Sequence, residues 1–159
     1  MLHARKARAH SKAGEVTQAY RAIDAAFAAY AHAGPAEHDL PSMYWMTHGE
    51  VHEVAASSAL TLGDPQRALE HFDAARHHED PYDTDGEPRG AGIYLARQAE
   101  AHLSLGELDA ALDIASQALD RLGGAESARG DSTIIDLRRQ LARHHKAKAV
   151  ADFLELTAC

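Results

Sequence analysis

Three glycines in a common register constrain this chain more than any other feature. Gly14, Gly63 and Gly106 are each followed directly by an acid (Glu15, Asp64, Glu107). Aligning them also superposes Ala7, Ala56 and Ala99 before the glycine, and Ala19/Ala68/Ala111 and Ala26/Ala75/Ala118 after it. A glycine can adopt the left-handed conformation that closes one helix, and the acid after it can cap the next by accepting its free N–H groups. The alanine columns suit positions where two antiparallel helices cross, because a one-carbon side chain lets the backbones approach without loss of helix propensity. The pattern predicts an all-α chain built from three helical hairpins.

Apolar spacing and stop signals place the elements. Helices are expected over about 2–13 and 16–32, the second ended by Gly34-Pro35. A long third helix should start at Pro41-Ser42 and reach Leu62, followed by a fourth over 65–78 that opens on Asp64-Pro65. The third hairpin is expected over 92–105 and 108–122, stopped by Gly123-Gly124. Helices over 133–144 and 147–156 then carry Ile134, Leu137, Leu141 and Val150, Phe153, Leu154 on one face each, as closing caps do. The whole reads as one domain, 1–159, with hairpins at about 2–33, 42–79 and 91–122 and capping helices at about 127–157.

Small residue, glycine turn, small residue, with Ala68-Leu69-Glu70-His71-Phe72-Asp73-Ala74-Ala75 as its best example, resembles the tetratricopeptide repeat (TPR), a helix-turn-helix of about 34 residues. The glycines lie 49 and 43 residues apart, so extended helices or inserted loops must join the hairpins. His3, His52 and Leu95 stand where the motif carries Trp. The resemblance implies a TPR-like α-solenoid whose first helices line a groove for a protein or peptide partner, or a small signal molecule. Carried onto this chain, the groove positions are Arg8 and Lys12, then Glu50, Glu53 and Ser57, then Ile93, Ala96, Glu100 and Ser104. The lysine-and-asparagine clamp of chaperone-binding members is not matched.

Charge and composition narrow the function classes. Lys plus Arg number 16 against 24 Asp plus Glu, a formal net charge of −8, which opposes a nucleic-acid surface because phosphate binding needs a concentrated positive footprint. No stretch has the length of a transmembrane helix and no apolar signal segment follows Met1, so the expected location is the cytoplasm, with no membrane partner. The single cysteine, Cys159, reads as an incidental thiol. Homodimerisation is compatible with all of this.

Met43, Tyr44, Trp45 and Met46 could form a partner or ligand pocket, with Trp45 its anchor, but large apolar side chains at this place are expected in the core against Phe27 and Tyr30. His48 and His52, four apart, share a helix face and could bind zinc. The motif is not H-E-x-x-H, and no third ligand, whether Glu53 or a residue of another helix, can be named from sequence. The reading is therefore half-exposed histidines, with no metal and no cofactor. The acidic run from Asp80 to Gly90 lacks the spacing of a calcium loop and reads as a solvated turn. His77-His78 and His144-His145 read as helix-terminal residues, and Arg138, Arg139, Arg143, Lys146 and Lys148 as an exposed basic face. No nucleophile–base pattern or phosphate loop is present, so no enzymatic activity is expected.

A narrower resemblance runs along nearly the whole chain. Leu2-His3-Ala4-Arg5-Lys6-Ala7-Arg8-Ala9, the hairpin from Gly14 to Ala26, the stretch from Trp45 to Pro65, Leu137-Arg138-Arg139-Gln140-Leu141 and Phe153-Leu154-Glu155 follow one another as in the C-terminal repeat region of actinobacterial helix-turn-helix regulators of the Xre class. That resemblance implies a regulatory sensor domain attached to an upstream DNA-binding domain, which does not lie within these residues. The alternative is a stand-alone adaptor.

Overall fold

The computed structural model describes residues 1–35, 38–40, 43, 45–78, 88–122 and 128–157, and among them all regular structure is helical. The chain forms two compact units, 1–86 and 87–159. The first holds α1 (Leu2–Lys12), α2 (Val16–Ala31), α3 (His48–Thr61) and α4 (Pro65–Arg76); the second holds α5 (Pro88–Ser104), α6 (Leu108–Leu122), α7 (Ala128–Leu141) and α8 (Lys148–Leu156).

The aligned glycines form the turns. Gly14, Gly63 and Gly106 have φ of 73°, 81° and 79°, the left-handed region that other residues enter only with strain. Each turn carries the same two hydrogen bonds. The acid's N–H donates five residues back (Glu15 to His10, Asp64 to Ala59, Glu107 to His102), and the glycine N–H donates three back (Gly14 to Ser11, Gly63 to Leu60, Gly106 to Leu103). This is the Schellman arrangement, which satisfies carbonyls that a helix end would leave unpaired.

The acids after the glycines do not all cap. Asp64 does, accepting from the Arg67 N–H at 3.2 Å. Glu15 makes no side-chain cap and instead meets His10 Nδ1 at 2.5 Å. Glu107 meets His102 Nδ1 at 2.7 Å. The cause lies four residues before each glycine, where the outer hairpins carry a histidine and the middle one carries Ala59.

The alanine columns lie at the crossings. Ala7, Ala19, Ala56, Ala68, Ala99, Ala111 and Ala118 are all 0% exposed. In the first unit α1 packs on α2 and α3, and α3 on α4. Tyr20 of α2 donates its hydroxyl to Asp64 at 3.2 Å, and the Arg67 guanidinium lies 4.6 Å over the Tyr20 ring, tying the first hairpin to the second. In the second unit α7 packs on α5 and α8 on α6. Leu137, Leu141 and Val150 are buried there with Ala96, Ala99, Ala111, Ala115 and Ala118, and full burial of side chains of this size contributes about 1.5–3 kcal/mol each. Arg138, expected on an exposed basic face, is partly buried and donates to the carbonyls of Thr157 and Leu154, closing the end of α8.

Three expected helix starts shift, that of α7 from about 133 to Ala128. α3 opens at His48 rather than near Pro41, because Thr47 takes the N-cap position and accepts from the Glu50 N–H at 3.0 Å. α5 begins at Pro88, inside the stretch expected as loop, since proline suits the first turn of a helix. The rest of the presumed acidic turn, with Pro41-Ser42, Tyr44 and Gly123-Gly124, lies outside the described residues.

Candidate functional site

Glycine prepares the middle hairpin for close contact at the end away from its turn. A Cβ on Gly49 would lie 3.3 Å from the Ala75 carbonyl oxygen, so α3 and α4 approach there without an intervening side chain. His48 and His52 occupy the neighbouring turns of α3, one helical turn apart on a shared face. His71 sits on the facing side of α4, and His78 follows just beyond the α4 end at Arg76. The four rings meet. His48 Nδ1 lies 2.9 Å from His78 Nδ1, and His52 Nδ1 lies 3.1 Å from His71 Nδ1. The His52 and His78 rings stack at 4.9 Å, and one nitrogen each of His48, His52 and His78 fall within 4.8 Å of one another.

Aromatic rings of α2 cover one side of this cluster. The Phe27 ring stands 4.7 Å from His52, 5.7 Å from His48 and 6.0 Å from His71, and Tyr30 lies 5.1 Å from His48. Burial, then the nearby His71, His48 and His78, bring the His52 pKa down to about 4. Burial and His78 lower that of His48, and burial and the Arg67 guanidinium lower that of His71 against the pull of Glu70. These three imidazoles are therefore neutral near pH 7, each with one nitrogen lone pair to offer.

His77, by contrast, donates Nδ1–H to the Asp73 carbonyl at 2.8 Å and His145 does so to Ala142 at 2.9 Å, as expected of helix-terminal histidines. His78, read with them from sequence, belongs to the cluster instead. The signal for His71 and His78 was present only as spacing: they are seven apart, two turns of α4 extended past its end.

The residues assigned to a groove divide by exposure. Lys12 is exposed, and Arg8, Trp45, Glu50 and Glu53 are half-buried. Arg8 donates to Thr61 Oγ1 at 3.2 Å, linking α1 to α3. Ser57 and Glu100 are each only 5% exposed, and Ile93 and Ala96 are buried as well, so these four offer no side-chain surface to a partner. The physical reason is rotational phase: their side of the helix faces the rest of the unit. Burial pushes the Glu100 carboxyl above its ordinary value; Arg97, 2.7 Å away, and Gln140 oppose this while Asp136 adds to it. Ser104 is exposed, with its hydroxyl donating to the Glu100 carbonyl at 2.8 Å.

Trp45 and Met43 pack against Ala4, Ala26, Met46 and Val51 together with Phe27 and Tyr30, the core arrangement expected of this segment. A recess of about 170 Å³ remains beside them, lined by Ala4, Ala26, Tyr30, Met43, Met46 and Val51. It is smaller than the roughly 300–1,000 Å³ of small-molecule sites. No helix of the described residues is long and apolar enough to cross a membrane. No family model, curated protein or solved structure matches the chain.

Proposed function

We propose that this chain is a non-catalytic interaction and sensor module of the tetratricopeptide type, the regulatory part of a helix-turn-helix transcriptional regulator. One observation carries the reading: three hairpins repeat the same left-handed glycine turn, with the same alanine columns flanking it at the helix crossings. Consecutive hairpins in the first unit pack through α1, α2 and α3, the neighbour-to-neighbour contact on which repeat proteins depend. The partner surface is the side of α1 and α3 bearing Arg8, Lys12, Glu50 and Glu53. Its mixed charge suits a peptide of mixed charge, and the recess beside Met43 and Tyr30 suits one apolar side chain of that peptide better than a free small molecule. Regulation would follow from population shift, a partner favouring one arrangement of the module and so changing how an attached DNA-binding domain is presented.

An anisotropy titration of this chain against duplex DNA at moderate salt is expected to show no sequence-specific binding, and such binding would overturn the reading. Lys12→Glu with Glu53→Lys should weaken binding of a peptide partner selected from a displayed library while leaving the melting temperature unchanged. A response confined to Gln66 or Asp113 would remove the α1–α3 surface. A reading frame upstream of Met1 that encodes a helix-turn-helix supports the regulator, whereas one without it selects a stand-alone adaptor.

A further inference from the structure

The histidine cluster is not explained by packing. Counting from the glycine turns, His52 and His71 of the middle hairpin correspond to Leu95 and Ile114 of the hairpin α5–α6. Both of those pack against the apolar core of the second unit. The fold therefore closes this position well with aliphatic side chains, yet the middle hairpin places imidazoles on both facing helices and adds His48 and His78 a turn or two farther on. Facing Nδ1 atoms are a poor substitute for core packing, since each imidazole brings two polar nitrogens where an aliphatic side chain brings none.

We propose that His48, His52 and His78 bind one zinc(II) ion, with His71 as the positioning residue behind His52. Nitrogens sharing a tetrahedral zinc at 2.0–2.1 Å stand about 3.3 Å apart, and the His48–His78 separation of 2.9 Å is already close to that. The three ligand atoms lie within 4.8 Å of one another, so modest rotations of the imidazole rings close the triangle. The donor set is all imidazole, which suits zinc and the later first-row divalent ions and not calcium or magnesium, which require oxygen. The His52–His71 contact supplies the outer hydrogen bond that orients a ligating histidine, and Phe27 and Tyr30 supply an apolar wall. Three protein ligands leave the fourth tetrahedral position to water. This inference stands apart from the partner-binding reading: either can fail without the other.

The test uses the untagged chain, stripped with chelator, loaded with zinc and desalted. Elemental analysis is expected to return one zinc per chain, and competition with a chromophoric chelator to give its affinity. Cobalt(II) in place of zinc should give the visible absorption of a tetrahedral site. His48→Ala with His52→Ala should abolish both signals, while His32→Ala with His145→Ala keeps them. His71→Ile alone should keep the stoichiometry but lower affinity about 10- to 100-fold, the usual effect of losing an outer partner. Because an alanine variant could fail to fold, His52→Leu with His71→Ile borrows the residues of the equivalent hairpin and should lose zinc while melting no lower than the metal-free parent. Absence of stoichiometric zinc in the parent, or zinc retained by the His52→Leu/His71→Ile protein, overturns the site.

Discussion

The hairpins α3–α4 and α5–α6 share a glycine turn, three alanine columns, two of them fully buried in both, and a second glycine near the start of the first helix, Gly49 in one and Gly92 in the other, yet they are filled differently. Around α5–α6 the positions beyond the alanines are aliphatic, Leu95 and Ile114 among them, and α7 and α8 lay Leu137, Leu141 and Val150 on the result. Around α3–α4 the same positions are histidines, met by Phe27 and Tyr30 of α2. Elsewhere the contrast reverses. The middle hairpin buries the neutral Ser57 where the other buries the carboxylate of Glu100 against Arg97. Repetition thus governs the turns and crossings, where geometry leaves little choice, while the surrounding positions are released to carry chemistry.

The largest expected effect comes from forcing the first filling onto the second hairpin. Leu95→His with Ile114→His should destabilise the second unit by about 3 kcal/mol, because aliphatic packing is lost and the ring nitrogens that do not face each other would have no partner in an aliphatic core. Urea unfolding that leaves the variant near the parent would mean the two hairpins differ in more than their side chains. Next, Ala68→Leu and Ala111→Leu should each cost about 1–3 kcal/mol by overpacking equivalent crossings. A large loss for one and none for the other in calorimetry would break the equivalence.

The second pair of glycines sharpens it. A Cβ on Gly92 would lie 2.5 Å from Leu122 Cγ, so Gly92→Ala should destabilise by about 1–2 kcal/mol even though alanine is the better helix former. On Gly49 the nearest atom would be at 3.3 Å, and there the gain in helix propensity, about 1 kcal/mol, should leave Gly49→Ala near neutral. Equal losses in thermal melts would show that the two approaches are alike.

The smallest effect is electrostatic. With its pKa raised in the folded protein, the Glu100 carboxyl binds its proton more tightly there than in the unfolded chain. Its contribution is fully present below the ordinary carboxylate value and is lost as pH rises through the raised one. The stability of the parent relative to Glu100→Gln should therefore fall as pH increases from about 4.5, and a difference that rises with pH would place the carboxylate in a far more stabilising pairing with Arg97.

The turns and crossings were legible because each is a local event. A Schellman turn closes within six residues around one glycine, and an alanine repeated at a fixed distance from that turn must return to the same crossing whatever surrounds it. The core role of Met43 and Trp45 was legible for a related reason, since large apolar side chains beside a helix start have few other places to go. By itself, then, the chain determined three glycine-turned hairpins, their alanine contacts and an acidic, all-helical character. Tertiary structure alone decided that Ser57 and Glu100 turn inward, and that His71 and His78, 19 and 30 residues from the histidines they touch, complete a cluster begun on α3. Those outcomes depend on the rotational phase of one helix against another, which the backbones settle only when they pack; the seven-residue spacing of His71 and His78 puts them on one face of α4 without saying what that face meets.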